Sequence, residues 1–343
     1  MKSEYIISTI KTLVEIPSPS GFTKDVMAFV EKEAKEMGYD SYYTNRDGLI
    51  IEVKGSSSKT IGLSAHVDTL GAMIRSINSD GTINFTEVGG YTLQSVEGCY
   101  CKLHTREGNV YTGTILCKSP SVHVYDDART LERNERNMMI RLDEEVSSKE
   151  DVEKLGIMAG DYISLDPKFE YTKSGFVKSR HLDDKASVAV LLGLLKEMKE
   201  ENIIPENQLK ILISNYEEVG FGASYLPADI EEMLAIDMGA VGDDLNGSET
   251  KVSICAKDAT GPYDYEMTNR LIALSKEKEI PFVVDVFPHY GSDVSAALRG
   301  GNNIRGALIG QGVSASHGME RTHEKGIMAT LELVKAYVTC KEN

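Results

Sequence analysis

Two adjacent glutamates, Glu217 and Glu218, follow the apolar run Leu209-Lys210-Ile211-Leu212-Ile213 and precede Val219-Gly220-Phe221-Gly222. Neighbouring residues in a strand point to opposite faces, so both carboxylates can serve one site only where a strand ends and the backbone turns. There one carboxylate can ligate a metal ion while the other takes a proton from water, the division of labour of general-base hydrolysis. A solvated acidic loop is the alternative reading of the pair alone. Four further stretches of the right residue types accompany it: Ala65-His66-Val67-Asp68, Leu182-Asp183-Asp184, Asp237-Met238-Gly239 and Arg321-Thr322-His323. Together they make the inventory of a two-metal hydrolase.

Each stretch also has a plain structural explanation. His66 ends the strand-like run Thr60–Ala65, and Asp68, two residues on, falls on the same side of an extended backbone. That spacing suits a carboxylate holding the ring so that its other nitrogen faces a metal, although for His-x-Asp taken alone a histidine satisfied within the structure is the more ordinary reading. Asp183 precedes the apolar stretch Ala186–Leu195, where a carboxylate can cap a helix, and Asp184 competes for that role. Asp237 closes the run Met233-Leu234-Ala235-Ile236. His323 stands before the final helical pattern, where a surface or helix-start residue is the ordinary reading. The joint placement favours chemistry, since every site falls at an expected strand end or helix start. Imidazole and carboxylate are ligands that zinc, cobalt and manganese accept.

The elements that must position these residues follow from periodicity. Residues 3–37 read as two helices separated by Pro17-Ser18-Pro19-Ser20-Gly21, followed by strands at 40–44, 48–53 and 60–65. Between about 71 and 165 the pattern changes to short alternating runs broken by Asp80-Gly81, Gly89-Gly90 and Glu107-Gly108, as in a small β-barrel or sandwich inserted as a unit. The charged run 132–137 reads as a solvated loop of that insert. Helix and strand then alternate again: a helix at 184–199, strands at 208–214, 233–237 and 251–256, a helix at 263–279, a strand at 282–287, a short helix at 293–299, a strand at 303–309 and a closing helix at 324–341. The expected fold class is α/β, a mixed central sheet with helices on both faces plus the inserted β-rich domain. The expected division is a catalytic domain formed by 1–69 and 166–343, with the insert at 70–165.

A chain of 343 residues with 41% hydrophobic content can bury a large core. No run approaches the ~20 apolar residues of a membrane span, and the N-terminus lacks a signal-peptide core, so a soluble, cytoplasmic protein is expected. The formal net charge of −16 argues against nucleic acid or an anionic membrane as partner. Five cysteines without zinc-ribbon spacing are expected as free thiols.

These motifs, spread over nearly the whole chain, make it resemble the dodecameric, tetrahedral metalloaminopeptidases, a family that includes glutamyl and deblocking aminopeptidases and is sometimes labelled endoglucanase-like. The resemblance implies a zinc-exopeptidase-like fold and two divalent ions per subunit, zinc first, with cobalt or manganese as alternatives. It implies that His66 and Asp237 belong to one metal and Glu218 and His323 to the other, with Asp183 bridging. Glu217 would be the general base and Asp68 the partner of the His66 ring. A hydroxide shared by the two ions would attack the N-terminal peptide bond of short peptides. The Thr260-Gly261-Pro262 and Tyr290-Gly291-Ser292-Asp293 segments match substrate-lining loops, and the insert matches a dimerisation domain of a hollow homo-oligomer built from dimers to a dodecamer. Asp184-Lys185-Ala186-Ser187 departs from the arginine and glycine usual in relatives, a change that touches helix packing rather than ligands.

Three rival readings are weighed against this one. Dipeptidases and N-acyl amino acid deacylases of the same clan share the ligand pattern, but there the extra domain follows the Glu-Glu region, whereas here it precedes Asp183. A glycoside hydrolase needs two carboxylates about 5 to 9.5 Å apart and no metal, leaving both histidines and Asp237 unexplained. A binding protein with a structural metal site would be expected to fill it with cysteine and histidine.

Overall fold

A computed structural model describes residues 2–341. Two amphipathic helices open the chain, α1 (Lys2–Glu15) and α2 (Lys24–Glu36), burying Ile6, Ile10 and Leu13 in the first and Val26 and Val30 in the second. Strands β1 (Asp40–Tyr43), β2 (Leu49–Val53) and β3 (Thr60–His66) follow.

At Gly71 the chain leaves this layer to build β4 (Gly71–Ile77), β5 (Ile83–Val88), β6 (Tyr100–His104), β7 (Val110–Cys117), β8 (Met138–Leu142), the short helix α3 (Lys149–Lys154) and β9 (Tyr162–Leu165). The six strands close into a barrel in the order β4-β5-β8-β7-β6-β9. Alternation along them turns Cys101 and Leu103, Ile115 and Cys117, and Met138 and Ile140 inward, around Phe85, into a core of their own. The charged run 132–137 lies in turns on the barrel surface, with Arg133 paired to Glu97 at 2.8 Å and Glu135 to Arg75 at 3.1 Å. Entry strand β4 pairs with exit strand β9, Ala72 opposite Ile163. The excursion therefore returns beside its point of departure.

The rest of the chain comprises β10 (Glu170–Tyr171), β11 (Phe176–Ser179), α4 (Leu182–Glu201), β12 (Gln208–Ser214), β13 (Ile230–Ile236), β14 (Gly239–Val241), β15 (Val252–Asp258), β16 (Gly261–Pro262), α5 (Tyr265–Glu277), β17 (Phe282–Val286), α6 (Asp293–Arg299), β18 (Arg305–Ser314), β19 (Glu320–His323) and α7 (Glu324–Thr339). Outside the barrel the strands form one 13-stranded mixed sheet. At its centre β12, β3, β13 and β18 run parallel to one another. Alternate residues feed two cores. Ile211, Ile213, Leu234, Ile236 and Ile309 face α1, α2, α4, α5 and α7, whereas Leu212, Met233, Ala235 and Leu308 face α6 and the Ala223–Leu226 loop. Helices cover both faces, as the alternation predicts.

Helix α4 is buried on every side from Leu182 to Leu195, the signature of a helix sandwiched inside the core rather than lying on it. Each leucine buried there contributes about 1.5–3 kcal/mol. The one lysine of that stretch is accommodated: Lys185 Nζ donates to the carbonyls of Leu13 and Ile16 at 2.7 and 2.8 Å, satisfying the end of α1. Ser187 accepts from Gln311 Nε2 at 3.0 Å. The strand expected at 303–309 runs on to Ser314, because Gly310 and Gly312 let it pass tightly against the Asp237 and Ser248 carbonyls, where a Cβ would collide with backbone. All five cysteines are free thiols. Among the described residues, no helix is long and apolar enough to cross a membrane.

Candidate metal centre

Parallel strands bring their C-terminal ends to one edge, and the segments leaving that edge supply the cluster. His66 is the last residue of β3, in register with Ser214 at the end of β12. Three residues beyond Ser214 the chain tightens into a single 3₁₀ turn, Glu217–Val219, which carries both glutamates. Asp237 directly follows β13, its N–H donating to the Ile309 carbonyl at 2.9 Å. Asp183 and Asp184, joined by a cis peptide, lie at the start of α4 in non-helical conformations. The capping reading does not apply to Asp183, whose carboxylate turns toward imidazoles instead.

Asp183 is the hub. Its Oδ1 lies 3.1 Å from His66 Nε2, and its Oδ2 lies 3.3 Å from His317 Nε2. Around the first pair stand Glu217 Oε2, 3.8 Å from His66 Nε2, and Asp237 Oδ2 at 4.0 Å. Around the second stands Glu218 Oε2, 3.4 Å from His317 Nε2. Ligand atoms of His66, Asp183 and Glu218 all lie within 4.8 Å of one another, as do those of His66, Asp184 and Asp237. Asp184, considered in the sequence only as a cap, is thus also at the cluster, its Oδ2 accepting the His66 backbone N–H at 3.2 Å.

The expectation for His323 is corrected. Both of its ring nitrogens are used elsewhere: Nε2 donates to the Ser174 carbonyl at 2.9 Å, and Nδ1 accepts the Lys325 N–H at 3.0 Å, capping α7. Its ring packs edge-on against Phe176, and the Gly175 turn leaves no room for a Cβ beside it. No lone pair remains for a metal. The histidine that reaches the cluster is His317, six residues earlier, in the turn between β18 and β19 with φ of +61°. The sequence shows a histidine in Ser316-His317-Gly318 but not that it, rather than His323, reaches the cluster.

His66 and His317 are held in the same way. His66 Nδ1 donates to the Asp68 carbonyl at 2.9 Å, and His317 Nδ1 to the Gly90 carbonyl at 2.5 Å, so in both rings it is Nε2 that faces the carboxylates. The part expected of Asp68 is therefore played chiefly by its backbone oxygen; its Oδ1 is 3.5 Å from the ring. The buried Asp68 carboxylate has another task. It accepts the Glu217 and Glu218 N–H groups at 3.1 and 3.2 Å and the Ser20 hydroxyl at 2.5 Å, which fixes the glutamate turn.

Charge is concentrated here. Burial, reinforced by the neighbouring Asp183 charge, pushes the Asp237 carboxyl up to about 7. Burial likewise carries Glu217 and Glu218 well above the usual carboxylate range. Burial alone would lower His317, but its bond to Asp183 and the Glu218 charge raise it to about 11. Asp183 moves the other way: the two imidazoles outweigh its burial and hold it below its ordinary value. Glu218 Oε1 is buried without any hydrogen-bond partner. A crowd of carboxylates that two imidazoles only partly neutralise, with an unpartnered buried oxygen and two Nε2 atoms turned inward, fits divalent cations, which would take the place of the imidazole protons.

The model of the M42 glutamyl aminopeptidase family matches residues 47–333. The chain belongs to that family. It is a peptide hydrolase, and M42 peptidases depend on metal, for which the histidine and carboxylate cluster supplies the groups. It is 48% identical over 331 residues to the Bacillus subtilis (strain 168) protein named "Putative aminopeptidase YhfE", spanning 96% of each chain. Its fold matches an aminopeptidase of the archaeon Desulfurococcus kamchatkensis with a TM-score of 0.88 at 23% identity, covering 98% of this M42 chain and 95% of the other. It also matches the Pyrococcus horikoshii TET1 peptidase, described as assembling into a tetrahedron or a large octahedral shell, with a TM-score of 0.85 at 22% identity over 97% and 99% of the two chains.

Proposed function

We propose that this M42 member is a two-metal aminopeptidase that removes the N-terminal residue from short peptides. The observation that carries the reading is Asp183, one oxygen toward His66 and the other toward His317, which divides the cluster into two half-sites. His66 and Asp237, with Asp184 adjacent, would hold one divalent ion; His317 and Glu218 would hold the other; Asp183 would be shared. Zinc suits this donor set best, and cobalt or manganese is compatible with it. When bound, such ions lower the pKa of water and polarise a carbonyl.

The chain's own residues do the rest. Glu217 is the carboxylate that needs no ligand role, and its side chain is partly exposed to the cleft. It would take the proton from water and return it to the leaving amine. The cleft beside it, about 390 Å³, is bounded by Met238, Tyr290, Ser292 and Arg299 and opens on the cluster. Its acidic wall favours a substrate with a cationic N-terminus, so cleavage from the free end suits it better than internal cleavage. We further propose that the chain forms a homo-oligomer, with the barrel as the assembly element, in keeping with the assemblies named for its structural neighbours.

The test is a panel of aminoacyl and N-acetylated aminoacyl p-nitroanilides, with chelation and re-addition of zinc, cobalt or manganese. Cleavage confined to free N-termini, abolished by chelator and restored by metal, is expected. Glu217→Gln should lower kcat by ~10²–10⁴-fold while leaving metal uptake intact. Turnover of only the acetylated substrates would assign the site to a deacylase instead.

A further inference from the structure

His317 differs from the other cluster residues in what holds it. It lies in a left-handed turn beyond the end of β18, with its side chain about one-third exposed, so the sheet does not fix its place. One buried side chain reaches both this turn and the hub of the cluster. Glu320, the first residue of β19, accepts the His317 N–H with Oε1 at 2.9 Å and the Asp183 N–H with Oε2 at 3.0 Å. Glu320 is 2% exposed, and both of its oxygens are engaged. A single rigid carboxylate thus ties the backbone of one candidate ligand to the backbone of the residue that would bridge the two ions. The ring is fixed separately by the Gly90 carbonyl, contributed by the barrel. Arg180 completes the mount, its guanidinium donating to the carbonyls of Gly318 and, from the barrel, Ser95.

We infer that Glu320 is a positioning residue for the half-site formed by His317 and Glu218: it sets the separation between Asp183 and His317 without being a ligand itself. The inference rests on the two-metal reading above. Because a carboxylate offers an acceptor on each side, the isosteric Glu320→Gln can satisfy only one of the two N–H groups and turns an NH₂ toward the other. Groups that orient ligands in this way typically change metal affinity by ~10–100-fold when removed. Half-site His66–Asp237, whose residues Glu320 does not touch apart from Asp183, should be far less affected.

The experiment is a titration of the metal-free full chain with cobalt, followed by calorimetry and visible absorption, for wild type, Glu320→Gln, Glu320→Asp and His317→Ala. Expected are two ions for wild type. For Glu320→Gln, one ion should bind ~10–100-fold more weakly, with an altered absorption band, and the other nearly as before. The kcat of Glu320→Gln should be recovered by raising metal concentration, at unchanged KM for peptide; a merely structural lesion would not be rescued in this way. Glu320→Asp, which keeps the charge on a shorter stem, serves if the Gln variant does not fold. If Glu320→Gln binds both ions as wild type does while His317→Ala loses one, the inference is overturned and the two-metal reading stands. If wild type takes up fewer than two ions, the two-metal reading itself falls; if His317→Ala binds both normally, the turn supplies no ligand and the inference about Glu320 is overturned. Failure of both Glu320 variants to fold with metal present would make Glu320 a folding residue and also overturn the inference.

Discussion

His66 and His317 present the same nitrogen to the same aspartate, yet they reach it by different means. His66 is the last rung of a central strand, paired on both sides, and the twist and register of the sheet decide where it stands. His317 is carried by a turn whose position depends on Glu320, Gly90 and Arg180. A ligand placed by a sheet inherits the stiffness of the core, whereas one placed by a turn is only as well placed as the hydrogen bonds around it.

Substitutions can break or sharpen that contrast. The largest effect is expected from His317→Ala, which should remove one of two bound ions and lower kcat/KM by more than the ~10–100-fold that accompanies loss of a residue that only orients a ligand. Metal analysis of the purified protein alongside peptide hydrolysis checks this. If both ions remain, the turn does not supply a ligand. A smaller effect, about 10–100-fold in kcat, is expected from Asp68→Asn, because the amide can accept from only one of the Glu217 and Glu218 N–H groups. Metal content should stay at two, so that a fall in kcat with full occupancy isolates the glutamate turn. The smallest effect is expected from His323→Ala. It should cost about 1 kcal/mol of stability through the lost cap of α7, read by denaturant unfolding, and leave metal uptake and kcat/KM unchanged.

The same contrast explains what the sequence reveals. Strand-end residues are legible because an apolar run announces the strand and the first polar residue after it marks the end; His66, Asp237 and the Glu217–Glu218 turn are found in this way. Helices, the α/β alternation and the barrel-like character of the insert are legible for the same reason, since period 2 and period 3.6 patterns are strong there. The choice between His317 and His323 is not. Both lie in one polar stretch of eight residues, and helix-start logic favours the later one. What excludes His323 is a pair of hydrogen bonds, one to Ser174, 149 positions away in the chain. Glu320 is invisible for a similar reason: its two partners are 3 and 137 positions away, and only the fold brings them together. The shift of Asp68 from ring partner to anchor of the glutamate turn again depends on a long-range contact, 149 positions in sequence.

The side-by-side pairing of β4 and β9 bears on how such a site can assemble at all. His66 and Asp183 are 117 positions apart, and bringing them together across an open chain carries a closure entropy that grows with the logarithm of the loop. Once the barrel has formed, however, Ala72 and Ile163 are ladder partners, and the large sheet meets the whole excursion as if it were a short connection. Each halving of the effective loop recovers roughly 0.6 kcal/mol. The fold thereby favours an order of events in which the barrel closes first and the two sides of the cluster join afterwards, so a lesion in the barrel core, such as at Phe85, would register as slow maturation of the large sheet as well as lost stability.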